Sequence, residues 1–187
     1  VGRRMLDYEI VRVQNALVGS SGALAGRGAG LPDGVSAVER FGAEFDALGE
    51  RCAADVAATA LRSAAFLNWR YVERPERSYR ALAAGAPGSP EGLAVWRRAE
   101  LGGTELAFLV EWLVPSGADD AAAALLSAVA AEVRAAGLDA LVLWCPEWSP
   151  WCADFQERGF RVTPTDYLTT ARSWARRFDL VWLRDHW

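Results

Sequence analysis

Phe66-Leu67-Asn68-Trp69-Arg70-Tyr71-Val72-Glu73-Arg74-Pro75-Glu76-Arg77-Ser78-Tyr79-Arg80 is the stretch that decides how this chain folds. A helix carrying Phe66, Trp69 and Tyr71 has too much aromatic surface to stay in water. Pro75 disfavours helix in the residue before it, so the segment docks on a sheet and stops there.

Outward from it the sheet can be read. Tyr79–Ala84 is a short strand, residues 85–90 (Gly-Ala-Pro-Gly-Ser-Pro) a turn and Gly92–Glu100 a second strand, with Gly102-Gly103 closing a hairpin into a third. That third strand, Thr104–Val114, puts Leu106, Phe108, Val110, Trp112 and Val114 on one face and Ala107, Leu109 and Leu113 on the other. Both faces are apolar, so it is central, and one carboxylate, Glu111, interrupts the second face. Pro115-Ser116-Gly117 breaks the strand, and Asp119 or Asp120 caps a helix whose stripe of Leu125, Leu126, Val129 and Val133 ends at Gly137. Leu138–Cys145 is a further buried strand, so strand, helix and strand make a parallel crossover.

On the N-terminal side, Phe41, Phe45, Leu48, Cys52 and Val56 recur at helical spacing, behind a possible first strand at Val35–Phe41. Residues 5–18 read as one extended or short helical piece. Val18–Gly34 is rich in Gly, Ser and Ala, so residues 1–34 are expected to be a linker or arm. Toward the other end, Trp148–Arg158 is a short helix, residues 161–172 are mostly extended and Phe178–Trp187 is a closing strand.

Composition narrows the function classes. At 187 residues one domain is the prior, and no apolar run is long enough to span a bilayer. The twenty basic residues are all arginine, beside long alanine runs, which fits a GC-rich bacterial genome; net charge is -4 with no basic stripe, so nucleic-acid binding is not expected. Cys52, Cys145 and Cys152 are odd in number, lack metal-ligand pairing and come with one histidine, His186. Reduced thiols in a cytoplasm and no metal site are the expectation.

The element order, the Phe-Leu-Asn-Trp-Arg-Tyr wording before Pro75 and the phrase Gln156-Glu157-Arg158-Gly159-Phe160 together resemble the GNAT-type acyl-CoA acyltransferases over residues 35–187. The resemblance implies an α/β (α+β) fold, a mixed and mostly antiparallel twisted sheet of about six or seven strands flanked by about four helices. The aromatic phrase is similar to one in bacterial proteins that carry two such domains in tandem. This chain would then be the second, with residues 1–34 the connector from an N-terminal GNAT-like domain.

What the resemblance implies for chemistry falls on a few residues. Acetyl-CoA or another acyl-CoA would be gripped where the central strand meets the next helix, at Leu113, Val114, Ser116, Gly117, Ala118 and Asp119, because free N–H groups and a positive helix end suit a pyrophosphate. The family's loop runs Gln or Arg, two residues, Gly, one residue, Gly or Ala. Here Pro115-Ser116-Gly117-Ala118-Asp119-Asp120 has one glycine and no arginine. Glu111 is the candidate base for the acceptor's proton, its other reading being an ion pair with Arg97 or Arg98. Tyr167 is the candidate acid for the leaving thiolate. Trp112, Trp144, Cys145 and Trp148 are the candidate substrate pocket, or else aromatic core around an inert thiol. The acceptor would be an amine or hydroxyl on a small molecule or glycan, with cell-envelope or polysaccharide modification as a setting. The eroded loop keeps a second reading open, a non-catalytic binding or interaction domain.

Overall fold

The run from Thr104 onward becomes the central strand that its two apolar faces require, and the other elements are arranged about it. The computed structural model describes residues 4–5, 8–24, 31–57, 59–74, 78–171 and 179–186. In chain order the elements are β1 (Arg4–Met5), β2 (Tyr8–Val13), β3 (Ala16–Ser20), α1 (Ser21–Leu24), β4 (Val35–Ala37), α2 (Glu44–Ala54) and α3 (Ala64–Leu67), which runs into a π-helical turn, Asn68–Val72. There follow β5 (Arg80–Ala86), β6 (Ser89–Leu101), β7 (Thr104–Leu113), α4 (Asp119–Ala135), β8 (Ala140–Leu143), α5 (Pro150–Glu157), β9 (Arg161–Thr163), β10 (Leu168–Ala171) and α6 (Leu180–His186).

Seven strands form one sheet in the order β4-β5-β6-β7-β8-β3-β9, antiparallel throughout except for β7 and β8, which the α4 crossover makes parallel. One face is covered by α4, whose Leu125, Val129 and Val133 pack on Ala94, Trp96, Ala107 and Leu109. The other is covered by α2 and α3, where Phe45, Leu48, Leu67 and Tyr71 meet Leu93, Val95 and Leu113. This is the mixed, mostly antiparallel architecture expected from the sequence.

The N-terminal segment differs from the linker or arm expected of it. Ala16 and Leu17 are buried, and β3 lies hydrogen-bonded between β8 and β9 inside the main sheet. Five small or aliphatic residues within a Gly- and Ser-rich stretch make too short a pattern to stand out. The closing strand expected at Phe178–Trp187 is corrected as well. Residues 180–186 are helical, because the Asp179 carboxylate accepts from the N–H groups of Val181 and Trp182 and starts a turn; residues 178 and 187 lie outside the described residues. β10 leaves the main sheet and pairs with β2, beside β1, in a small second sheet. The expected aspartate cap of α4 is also absent, since Ala118 holds the N-cap position without a side-chain bond and Asp119 and Asp120 sit in the first turn.

The aromatic segment docks on the sheet through one side only. Tyr71 is buried, but the Trp69 ring is 50% exposed, resting on Phe66 and under the Arg74 guanidinium. The fastening is polar. The Asn68 side chain accepts from Phe41 N–H at 3.0 Å and donates to Phe41 C=O at 2.8 Å, while Ser63 caps α3 by accepting from Phe66 N–H. Glu73 N–H reaches back five residues to Asn68 C=O, the widened turn that turns Tyr71 toward the sheet.

Candidate active site

Two irregularities of β7 create the site. The first is a bulge: Val95 of β6 faces Glu111 and Trp96 faces Leu109, which leaves Val110 unpaired. One extra residue exchanges the faces of a strand. Leu109 therefore packs with α4, while Leu113 packs under α2 and α3 and Glu111 meets Tyr71, where uninterrupted alternation places all three on one face. The second is a splay. β7 and β8 pair only at Ala107 with Leu141 and Phe108 with Val142; beyond these β8 ends at Leu143 while β7 runs on to Leu113.

Glu111 sits at the opening of this splay, 9% exposed. Its Oε2 accepts from the Tyr71 hydroxyl at 2.9 Å, and Arg62 Nε lies 3.4 Å from both carboxylate oxygens. The partner is Arg62 and not Arg97 or Arg98, because the bulge aims Glu111 at the α2 and α3 side; Arg98 is occupied with Glu105 and with Ala136 C=O. Arg62 is held in turn by Ala60 C=O at 2.6 Å and Thr59 Oγ1 at 3.1 Å. It reaches this place because Gly49 lets its backbone cross α2 closely, where any Cβ would collide with the Arg62 carbonyl. Burial, then the Glu111 charge and hydrogen bond, push the Tyr71 phenol upward, so it is a donor at neutral pH.

Two cavities meet at Glu111. One, of about 240 Å³, lies in the splay between β7 and β8 and is lined also by Trp144 and Cys145. The other, of about 150 Å³, lies between α2 and β7 and is lined also by Asp55, Ser116 and Trp148. Arg62, Glu111, Trp112, Pro146, Ser149 and Trp151 belong to both. The candidate pocket residues Trp112, Trp144, Cys145 and Trp148 are thus brought to the cleft. Tyr167 is not among the residues lining either cavity; it is 51% exposed and its ring stands edge-on to Trp144. The Cys145 thiol is pushed up to about 12, chiefly by burial, against the pull of a Ser149 hydrogen bond, and Cys52 up to about 12 by burial and then the Asp55 charge. Neither is a nucleophile at neutral pH. Among the described residues no group of three or more His, Cys, Asp or Glu side chains is placed to hold a metal ion, and no helix is long and apolar enough to cross a membrane.

The loop after β7 is reached from elsewhere in the chain. Ser116 N–H donates to Asp55 Oδ2 at 2.8 Å, Ala118 N–H to Pro115 C=O, and the Val114 carbonyl accepts from the Trp151 indole at 3.0 Å. Gly117 turns the chain with φ +83°, and Ser116, Gly117, Ala118 and Asp119 line an open hollow of about 580 Å³ beside Arg51, Glu91 and Asp120. Leu113 and Val114 are buried and line the cavity between α2 and β7 instead.

No protein-family model and no curated protein sequence matches the chain. Solved structures do. A GCN5-related N-acetyltransferase from Anabaena variabilis superposes with a TM-score of 0.56 at 14% identity, over 83% of this chain and 39% of that one. The fold is that of the GNAT acyl-CoA N-acyltransferases. The N-myristoyltransferase of Saccharomyces cerevisiae, solved with bound myristoyl-CoA, shares this GNAT fold with a TM-score of 0.56 at 10% identity, over 89% of this chain and 49% of that one. A GNAT-family protein from Novosphingobium aromaticivorans gives a TM-score of 0.52 at 16% identity, over 87% of this chain and 66% of that one. The chain therefore spans less than half the length of the first two GNAT neighbours.

Tyr71, Arg62 and Asp55 are the residues that the sequence reading did not assign to the site. Tyr71 carries the only prior signal, as a polar-tipped aromatic on a helix already known to dock.

Proposed function

We propose that this chain is an acyltransferase domain that moves an acetyl or other acyl group from an acyl-CoA to an amine or hydroxyl, with Glu111 as the base. The observation that carries the reading is the meeting of two cavities at one buried carboxylate. In the splay between β7 and β8 the donor's thioester would lie beside Glu111. The acceptor would enter from the α2 side. Its nitrogen or oxygen attacks the thioester carbonyl as Glu111 takes its proton, directly or through one water; the C–S bond then breaks and the leaving thiolate takes a proton. Tyr71 holds Oε2, so Oε1, met only by the long Arg62 contact, would receive the acceptor's proton. Tyr167, the expected acid, stands outside both cavities against Trp144, so the thiolate's proton would come from it through water or from solvent. Trp112 and Trp148 leave buried indole N–H groups without an acceptor among the described residues, which suits an oxygen-bearing small molecule or glycan. A preceding domain of the same fold and a cytoplasmic setting, in keeping with three unpaired cysteines, belong to the same proposal.

A second reading, a non-catalytic domain, is favoured by the side chains already seated on Ser116 N–H and Val114 C=O. Calorimetry with acetyl-CoA, followed by thiol-release assays over a panel of amines and alcohols, separates the two. The acyltransferase reading expects binding by both the native protein and Glu111→Gln, with turnover in the variant lower by about 10²- to 10⁴-fold. Absence of heat at high protein concentration would sink it and leave the second reading.

A further inference from the structure

Between β8 and α5 the chain turns twice in succession. Ser149 N–H donates to Pro146 C=O at 3.0 Å and Cys152 N–H to Ser149 C=O at 2.9 Å, with Pro146 and Pro150 limiting the freedom of both turns. The double turn brings the Cys145 thiol into hydrogen-bond contact with the Cys152 thiol. Both pack in the core cluster that contains Phe155, Cys152 buried and Cys145 half-buried. Each sulfur also meets a polar donor: the Ser149 hydroxyl at Cys145, and Gln156 Nε2 at 3.6 Å from Cys152 Sγ. Such donors favour the thiolate. Of the two, only Cys145 lines the cavity between β7 and β8, so a small molecule that enters there meets its sulfur first. The proposed acyl transfer uses neither thiol.

We propose that Cys145 and Cys152 are a redox pair, which a small peroxide converts to an intramolecular disulfide. The Cys145 sulfur, having given up its proton, attacks one peroxide oxygen; the O–O bond breaks, and the other oxygen takes the proton and leaves as an alcohol, or as water from hydrogen peroxide. Cys145 is then a sulfenic acid. The Cys152 sulfur attacks it, the S–S bond forms, the S–O bond breaks, and the hydroxide leaves as water with the proton of Cys152. Two thiols lose two hydrogens and two electrons, and the peroxide gains them. Because the turns already hold the second sulfur beside the first, capture by Cys152 outruns further oxidation of Cys145. Cys52 lacks this arrangement, since the groups that act on its thiol are Asp55, Arg51 and Glu111, none of them a sulfur. The bond would fix the segment that gives Pro146, Ser149 and Trp151 to both cavities, so the redox state of the pair sets how freely that shared wall moves. In the cytoplasmic setting proposed above it is a transient bond, opened again by thiol reductants.

Hydrogen peroxide is the probe, applied to the native protein, followed by alkylation of the remaining thiols, trypsin and mass spectrometry. Both cysteines lie between Arg134 and Arg158, in one tryptic peptide. The pair predicts that this peptide becomes two hydrogens lighter and closed to alkylation, that a phosphine reductant restores it, and that Cys52 is still alkylated. Burial keeps the Cys145 thiol protonated up to about 12, so the reaction is slow at neutral pH and should quicken about tenfold per pH unit between pH 7 and 9. Amide hydrogen exchange at residues 147–152 should be slower in the oxidised protein than in the reduced one. In Cys152→Ser the sulfenic acid on Cys145 should persist and be trapped by dimedone. Dimedone labelling of Cys145 in the native protein in place of the lighter peptide, two copies of the peptide joined to each other, oxidation of Cys52 at the same rate, or no thiol consumed at all would each overturn the pair. None of these outcomes bears on the acyl-CoA reading.

Discussion

The π-helical turn at Asn68–Val72 and the loop at Pro115–Asp119 both lie near Glu111, and their hydrogen bonds have opposite characters. In the turn, the Asn68 side chain meets both polar groups of the Phe41 backbone in a buried setting, and the Tyr71 hydroxyl meets Glu111 in another. In the loop, Ser116 N–H meets an exposed carboxylate and Gly117 stands in open space. Buried polar groups that lose their partners cost the full desolvation of each group, whereas exposed ones are taken up by water. The turn is therefore an anchor that fixes the base, and the loop is a surface whose partners can be exchanged.

The comparison is tested most severely at Asn68. Asn68→Ala removes both bonds to Phe41 and strands a buried N–H and a buried C=O, so it should cost about 2 to 4 kcal/mol in a urea or thermal melt. It should also release Tyr71 from Glu111, because the same turn carries both residues. A variant as stable as the native protein would mean that the turn is fastened by packing alone and that its polar contacts are no different in kind from those of the loop.

A smaller effect is expected on the other side. Gly117 has φ +83° and nothing within 4 Å of the place its Cβ would occupy, so Gly117→Ala meets backbone strain and no collision. The expected cost is about 1 kcal/mol. A loss as large as that of Asn68→Ala would make the loop an integral part of the fold and remove the distinction.

The regions also differ in how far the sequence revealed them. The central strand, the α4 stripe ending at Gly137, the parallel crossover and the docking helix were legible because each rests on a local period or a breaker. β3 was not, since five small or aliphatic residues carry no clear period and its neighbours β8 and β9 lie more than a hundred residues away. The bulge at Val110 was invisible for a different reason. No glycine marks it, and a strand that is apolar on both faces reads the same whether or not one residue is unpaired. Its consequence is the face on which Glu111 stands, and with it the choice of Arg62 over Arg97 or Arg98 as partner. Glu111 could be picked out as an isolated carboxylate in an apolar run. Its partner Arg62 could not, because it is brought there by a close helix crossing at Gly49 and by no motif.

Trp69 gives the smallest effect and the finest discrimination within the aromatic segment itself. The sequence alone suggests that it is buried with Phe66 and Tyr71, in which case removal costs several kcal/mol. Among the described residues its half-exposed ring is flanked by Phe66, at 5.9 Å between centroids, and by the Arg74 guanidinium, 4.9 Å from the ring. An exposed cation–π pair contributes about 0.5 to 1 kcal/mol, so Trp69→Ala should lower stability by no more than about 1 kcal/mol. Leu67, two residues earlier and fully buried, should cost about 2 to 5 kcal/mol on the same substitution. A Trp69 loss equal to that of Leu67, measured in the same urea titration, would show that the ring is covered in solution, and the anchor would then extend across the whole helix rather than along its inner side.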